Sequence, residues 1–374
     1  MKKGESKRMN IRLLAIILAA AMITGCTMAP KYERPSPTVP EEWPSGEVYD
    51  PVKGVPEQAN LETDVGVNVQ NLRWQDFFVD PNLQQVIGLA LTNNLDLKAA
   101  VLNVDYYRQL YNLQRNELLP AINGTASATG QRIPADLSST GTRTTTETYT
   151  VGMGVASWEI DFFGRIRSLK DQAMEQYLAT EQAQRSAQIS LIASVASAYV
   201  NYAADHEGLI IAKEILDLYT GTYERIRKNF ELGLCTELEF MQSASQVEAS
   251  KLSVANYQNL VNQDKNALDL LLGAPISEDL LPEKLTDIQS TRDISPGLSS
   301  EVLLTRPDVM AAEFQLRAAN ANIGAARASF FPRITLTAAL GTTSADLNNL
   351  FDTGSGYWSY APEVVLPIFD TRTW

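Results

Sequence analysis

The sequence predicts an α+β membrane protein made of two internal repeats, the second of which is incomplete. Residues 165–272 contain no proline, which permits very long helices because an interior proline removes a hydrogen bond and clashes with the preceding turn. A shift of 212 residues superposes two segments of the chain. Four segments of about ten residues alternate between apolar and small or polar side chains, as strands of transmembrane barrels do.

The first element, residues 1–25, is a predicted lipoprotein signal peptide. Five basic residues and the apolar run Leu13–Ile23 fit an export signal, and the run is too short to cross a membrane as a helix. The sequence Ile23-Thr24-Gly25-Cys26 resembles the bacterial lipobox, in which the thiol receives a diacylglycerol and the new amino group is acylated. Cys26 is therefore the predicted lipidation site, and an ordinary signal peptide with a chance cysteine is the alternative. Thr27 implies sorting to the outer membrane, since an aspartate there would resemble the inner-membrane retention signal.

Residues 26–80 are predicted to be a lipidated, proline-rich tether, because seven prolines between positions 30 and 56 favour extended backbone over a packed core. Without residues 1–25 the chain carries 26 basic and 43 acidic side chains. An acidic surface argues against nucleic acid as a partner.

Each repeat consists of a helix that ends at a proline and two strands that follow it. The first repeat places its helix at 81–119 and its barrel hairpin at 120–162; a linker at 275–299 precedes the second, with its helix at 300–331 and its hairpin at 332–370. The residues that coincide under the shift are Asp96 with Asp308, Arg115 with Arg327, Pro120 with Pro332, Ile122 with Ile334 and Thr125 with Thr337.

The strand faces can be read directly from the alternation. In the second strand Tyr149, Val151, Met153 and Val155 share one face, and in the third Ile334, Leu336, Ala338 and Leu340 do. A soluble β-sandwich is the alternative. Four strands cannot close a barrel, and open edges are not viable in lipid, so the membrane interpretation requires several copies of the chain without giving their number.

Residues 163–274 are predicted to form a long helical hairpin with its tip near 233–237. At 1.5 Å per residue, a helix over 165–232 would be about 100 Å long. Gly233 tolerates the left-handed conformation of a helix C-cap, and Thr236-Glu237-Leu238-Glu239 has the pattern of a capping box. The second helix is expected to end near Leu272, before Gly273 and Pro275.

Several motifs occur together and in order along residues 12–370. They are the lipobox, Pro30-Lys31-Tyr32-Glu33-Arg34-Pro35, Trp158-Glu159-Ile160-Asp161-Phe162-Phe163-Gly164-Arg165, the turn Gly233–Glu239, Leu303-Leu304-Thr305-Arg306-Pro307-Asp308, Ala325-Ala326-Arg327-Ala328-Ser329-Phe330-Phe331-Pro332 and Leu366-Pro367-Ile368-Phe369. This combination resembles the TolC-type outer-membrane efflux factors, in the lipoprotein (NodT-like) branch that partners resistance-nodulation-division pumps.

The resemblance implies a homotrimer in which each protomer gives four strands to a twelve-strand outer-membrane barrel and helices to a long coiled-coil tunnel across the periplasm. It implies the outer-membrane channel of a tripartite efflux system, a passive exit duct for drugs or other small compounds. The partners would be outer-membrane lipid, an inner-membrane pump and a periplasmic adaptor protein. The adaptor would contact the hairpin tip, where the candidate residues are Gly233, Leu234, Thr236 and Glu237.

Family members continue into a second long hairpin after the fourth strand. By repeat symmetry about 100 further residues are expected, and the sequence ends at Trp374. The sequence is therefore expected to be a fragment or the product of a truncated gene, and in the second case we expect no working channel.

No catalytic, cofactor or metal motif is evident in the sequence. His206 is the single histidine and has no cysteine near it, and Cys235 is interpreted as a small packing residue at the hairpin tip. We therefore expect no enzyme activity and no cofactor. The rival hypotheses are a lipid-anchored periplasmic coiled-coil scaffold without a pore and, less favoured, a periplasmic adaptor.

Overall fold

A computed structural model describes residues 27–35, 72–139, 141–292 and 300–369. The signal peptide, Cys26 and most of the predicted tether lie outside these ranges. The chain divides into two compact units. The first comprises the described residues of Met1–Pro35, Asp105–Ala179 and Ala312–Trp374, and the second those of Ser36–Val104 and Thr180–Ala311.

Helices and strands follow one another in the order that the repeat predicts. The helices are α1 (Trp74–Phe77), α2 (Pro81–Asn93), α3 (Leu95–Asn116), α4 (Arg165–Glu231), α5 (Glu237–Leu272) and α6 (Pro307–Ala328). The strands are β1 (Ile122–Ile133), β2 (Thr144–Glu159), β3 (Arg333–Ser344) and β4 (Gly356–Val365).

The internal repeat is visible in the element boundaries. Helices α3 and α6 each have 22 residues, and adding 212 to both ends of α3 gives the ends of α6. Strands β1 and β3 have 12 residues each. Asp96 and Asp308 occupy the first turns of α3 and α6, where a carboxylate interacts favourably with the helix dipole.

The predicted continuous helix from Leu83 to Leu119 is wrong, because the chain bends at Asn94. The side chain of Asn94 caps α3 by accepting a hydrogen bond from the Leu97 amide at 2.8 Å. Its amide group also donates to the Leu271 carbonyl at the end of α5, at 2.9 Å. Asparagine is a strong N-cap residue, so it ends α2 and begins α3 at one position.

The helix of the second repeat begins later than predicted. Residues Ser300–Thr305 form a 3₁₀ turn, and the α-helix starts at Pro307. Proline fits the first position of a helix, where its missing amide would lack a helical partner anyway, and it disfavours α-helix in the residue before it.

The core of the second unit joins α2 to the long hairpin formed by α4 and α5. Its most buried members are Val86, Ile87, Val195, Tyr199, Leu268 and Leu272. The Tyr199 hydroxyl donates to the Leu280 carbonyl at 3.0 Å, so this large side chain is buried with its polar atom paired.

Candidate functional site

The first unit contains a four-stranded antiparallel sheet in the order β1-β2-β3-β4. Its register places Met153 opposite Leu340 and Leu340 opposite Trp358, so these side chains lie on one face. The other face carries glycine, threonine and serine, including the pairs Gly152 with Gly341 and Thr150 with Thr343. The predicted two-faced character of the strands is therefore confirmed across the whole sheet.

The polar face has a floor of glycine. A Cβ at Gly152 would lie 2.7 Å from the Leu340 carbonyl oxygen and 3.1 Å from the Tyr357 hydroxyl. Tyr357 pairs with Gly341 and reaches across it to Gly152. The ring thus covers a strip of sheet that has no side chains of its own.

A β-bulge near the end of β2 changes which face each residue occupies. Val155 pairs with Ala338 and Trp158 pairs with Leu336, so three residue steps in β2 oppose two in β3. Ser157, in the bulge, has a φ of 52°, which is uncommon for a residue other than glycine. The extra residue turns Trp158 onto the apolar face and Glu159 onto the polar face.

Glu159 then forms one half of the junction between sheet and helix. Its carboxylate receives two hydrogen bonds from Arg165, from Nε at 2.8 Å and from a terminal nitrogen at 2.7 Å. Such a two-pronged contact fixes direction as well as distance. It ties the end of β2 to the first residue of α4.

Asp161 forms the other half of the junction. Its two carboxylate oxygens accept hydrogen bonds from the amides of Ile166 and Arg167, at 3.0 and 2.9 Å. Gly164 has a φ of 76°, which lets the chain turn from strand to helix. These contacts explain the spacing of the acidic and basic residues in the motif 158–165.

Aromatic rings gather at the same junction. Phe163 stacks on Phe331 with ring centres 4.8 Å apart, and Phe162 meets Phe163 edge-on at 5.2 Å. Phe331 lies just before β3, so the cluster, Phe162, Phe163 and Phe331, sits where the strands of both repeats meet their helices. Aromatic rings at this level are typical of the interface girdles of membrane barrels.

The second unit contains the tip of the helical hairpin. The Leu234 amide donates to the Asn229 carbonyl at 2.8 Å and the Gly233 amide to the Phe230 carbonyl at 2.9 Å, a Schellman motif. Gly233 has a φ of 73°. The predicted capping box is present, since Thr236 Oγ accepts from the Glu239 amide and the Glu239 carboxylate accepts from the Thr236 amide. Both helix ends at the tip are thus closed by local hydrogen bonds.

All four residues predicted to contact an adaptor are exposed at this tip: Gly233, Leu234, Thr236 and Glu237. Leu232, Leu234 and Leu238 are 72%, 73% and 66% exposed. Leu232 and Leu238 were not among the predicted contact residues, although a leucine on each side of the capped turn is visible in the sequence. The tip therefore presents apolar side chains on a rigid backbone.

The remaining candidate residues have structural surroundings. His206 Nδ1 donates to the Glu283 carbonyl at 2.8 Å, and its ring stacks on Tyr202. The Cys235 thiol is partly buried and contacts the Ile226 carbonyl. In the described ranges no group of three or more histidine, cysteine, aspartate or glutamate side chains is arranged to hold a metal ion.

Helical membrane spans were also considered. Among the residues that the structure describes, none of the helices combines the length and the apolar character needed to cross a bilayer.

Comparison with known proteins gives a consistent picture. Residues 86–274 and 298–374 match the family described as outer membrane efflux protein. The antibiotic efflux pump outer membrane protein ArpC of Pseudomonas putida and the toluene efflux pump outer membrane protein TtgC of another strain are each 42% identical over 362 residues, which is 97% of this chain and 73% of the relative. The open state of the Neisseria gonorrhoeae MtrE outer membrane channel superposes with a TM-score of 0.76 at 38% identity, covering 93% of this chain and 74% of that one.

The chain belongs to the outer membrane efflux protein family. It is an outer-membrane protein with the fold of the efflux channels, and it acts as the outer-membrane channel component of an efflux system. The resemblance in the sequence is thereby confirmed, and the scaffold hypothesis is not favoured.

Proposed function

We propose that the protein is a passive exit duct whose barrel is closed by three copies of the chain. The observation that supports this most directly is the two-faced sheet in the first unit. An apolar face suits lipid, and a face of glycine, threonine and serine suits a water-filled passage.

The edges of the sheet support an assembly of several copies. Strands β1 and β4 are its outermost strands, and each pairs with a single neighbour among the described residues. In lipid, unpaired backbone groups are costly, so β4 of one copy would pair with β1 of the next until the ring closes. Three copies would give the twelve strands that the resemblance implies.

The hairpin tip is the proposed docking surface for a periplasmic adaptor, which would connect the duct to an inner-membrane pump of the resistance-nodulation-division class. The exposed residues Leu234, Thr236 and Glu237 flank the rigid turn at Gly233. Apolar side chains that are held in place lose little conformational freedom on binding, which favours association.

The remaining parts of the proposal concern chemistry. Cys26 would carry the lipid that anchors the N-terminus in the outer membrane. The protein would use no cofactor and catalyse no reaction, since a duct only offers a path. Its substrates would be small apolar or amphiphilic compounds, because the relatives named above belong to antibiotic and toluene efflux pumps.

The barrel can be tested by labelling from outside the cell. Arg143 lies in the turn between β1 and β2, and Glu237 lies at the hairpin tip. In a Cys235→Ser background, Arg143→Cys should react with a membrane-impermeant maleimide on intact cells. Glu237→Cys should react only after the outer membrane is permeabilised. Protection of Arg143→Cys on intact cells would favour a scaffold without a pore.

The tip can be tested by replacing one exposed leucine. Leu234→Asp puts a charge on the proposed docking surface, whereas Leu234→Met keeps it apolar. Cells with Leu234→Asp should accumulate a fluorescent pump substrate as cells without the gene do, while Leu234→Met cells should not. Equal accumulation in both variants at equal protein levels would argue against docking at this tip.

A further inference from the structure

The segment directly after Cys26 lies along helix α6. Residues 27–35 form neither helix nor strand, yet five of them contact the helix. Arg34 forms an ion pair with Glu313, and the Arg317 guanidinium lies 5.2 Å from the centre of the Tyr32 ring. Asn320 donates to the Pro30 carbonyl at 2.9 Å, and Arg327 donates to the Met28 carbonyl at 3.4 Å.

These contacts follow one stripe of the helix. The contacting positions 313, 317, 320, 324 and 327 are separated by alternating steps of four and three, which is the spacing of residues on one helix face. The segment runs antiparallel to α6. Fourteen residues of helix rise by about 21 Å, and six steps of extended chain cover about 20 Å, so the two stay in register from end to end.

Gly324 marks the point of closest approach. A Cβ at this position would lie 2.7 Å from the Ala29 amide nitrogen, 2.8 Å from the Ala29 Cβ and 2.6 Å from Ser168 Oγ. Any other residue would push residues 27–35 away from the helix. A glycine in the middle of a helix costs about 1 kcal/mol relative to alanine, so its presence here indicates that the close contact matters.

The charges along the stripe are shared between the segment and the helix. Glu313 is mostly buried and accepts from both Arg34 and Arg317. Glu175 on α4 also faces Arg317, and burial raises the pKa of this carboxyl above its usual range. The segment thus completes a cluster of charges on α4 and α6 as well as covering a groove.

We propose that residues 27–35 form a docked strap, which holds the lipid on Cys26 at the strand end of α6, beside the aromatic cluster. The inference rests on the proposed lipidation of Cys26. Met28 contacts Arg327, one residue before the end of α6, and covalent geometry keeps Cys26 within about 7 Å of Met28. The acyl chains would enter the membrane at the level of Phe163 and Phe331, where interfacial aromatics are expected. The strap is a spacer of fixed length built into the fold.

The docking can be measured by limited proteolysis of the purified protein in detergent. Trypsin can cut after Lys31, which lies inside the strap, but only when the strap leaves the helix. Gly324→Ala should increase cleavage after Lys31 about tenfold, because the added methyl group displaces Ala29. Gly221→Ala is the matched control, since it lies in α4 with open space around it, and it should leave the cleavage rate unchanged.

A second pair of variants avoids any effect on helix packing. Asn320→Ala removes the hydrogen bond to Pro30 and adds no atoms, and it should also speed cleavage. Asn322→Ala, on the exposed side of the same helix, should not. Equal rates of cleavage after Lys31 in the wild type and all four variants would overturn the strap.

The position of the strap relative to the membrane needs a separate measurement. In a Cys26→Ser, Cys235→Ser background, a bimane fluorophore on Met28→Cys should be quenched in liposomes by lipids that carry a nitroxide near the headgroup. Quenching should fall at least about twofold when Gly324→Ala is added, because the strap alone then holds residue 28 at the interface. Equal quenching with and without Gly324→Ala would overturn the placement. Mass spectrometry of the N-terminal peptide of the wild type tests the lipid on its own, so absence of diacylglycerol there would refute the lipidation and leave the strap result distinct.

Discussion

The carboxylate of Asp161 closes the first turn of α4 by binding Arg167 twice. One oxygen accepts from the Arg167 amide at 2.9 Å and from its side-chain Nε at 3.0 Å. The Asp161 side chain is only 8% exposed, so both contacts are sheltered from water. Strand and helix are thereby joined through a single carboxyl group.

Replacing this carboxyl group should weaken the junction. Asp161→Ala leaves the amides of Ile166 and Arg167 and a partly buried guanidinium without their acceptor, so we expect a loss of about 3 kcal/mol of stability. The thermal midpoint of the protein in detergent measures the effect. Asp171→Ala is the control: Asp171 forms an exposed ion pair with Lys170, and its loss should cost less than about 0.5 kcal/mol. Equal losses in the two variants would show that Asp161 is not a special link.

Two glycines of α4 should respond to alanine in opposite directions. A Cβ at Gly208 would lie 2.5 Å from the Tyr257 ring, which packs against this position from α5. Gly208→Ala should therefore destabilise the hairpin by about 1 kcal/mol, since displacing the ring outweighs the gain in helix propensity. Gly221→Ala meets nothing within 4 Å and should stabilise it by up to about 1 kcal/mol. A shift of both thermal midpoints in the same direction would contradict this.

The hairpin should also be more stable in mild acid. Burial of Asp264, together with the neighbouring Asp205 carboxyl group, raises the pKa of Asp264 to about 6, and its buried Oδ2 receives no hydrogen bond from the described residues. Because the folded pKa is raised, this group stabilises the fold fully below about pH 4 and loses that contribution as the pH rises through 6.

A neutral side chain should remove this dependence. Asp264→Asn should be more stable than the wild type by about 1–2 kcal/mol at pH 8 and should show a flatter change of thermal midpoint between pH 5 and 8. Glu248→Gln, at an exposed position on the same helix, should keep the wild-type profile. An unchanged profile in Asp264→Asn would assign the pH dependence to other groups.

The capping box at the tip should be a local feature. Thr236→Ala removes the acceptor for the Glu239 amide and should cost about 1 kcal/mol. Hydrogen exchange should increase about fivefold at the amides of the first turn of α5, with no change near the core residue Leu268. Thr236→Ser keeps the hydroxyl group and should exchange like the wild type.

The parts of the fold that the sequence predicts well depend on local chemistry. Gly233 and Gly273 adopt the left-handed conformation at the helix ends, and Thr236 with Glu239 forms the capping box, because each needs only neighbours within a few residues. The repeat and the alternation of the strands are also local patterns, and they carry over into the register of the sheet. Asn94 was readable as a cap too, but the apolar spacing on either side of it suggested one continuous helix.

Other features depend on contacts between distant residues. The bulge at Ser157 is set by its pairing with β3, about 180 positions away, where the Thr337 hydroxyl accepts from the Ser157 amide. Strands β1 and β2 extend through polar residues such as Gln131 and Thr146, which pair with each other and carry no apolar pattern. The contact of Ala29 with Gly324 joins residues nearly 300 positions apart, and no property of either one indicates the other.

The two outer edges of the sheet have a genetic consequence. If β4 of each copy must complete β1 of the next, a ring is only as good as its worst member. A variant that inserts normally but has a spoiled edge, for example proline in the middle of β4, would then poison mixed rings. When such a variant and the wild type are made in equal amounts, only about one ring in eight would contain three sound copies. Loss of efflux would therefore be dominant, and a plasmid-borne defective copy should sensitise cells that still carry the intact gene.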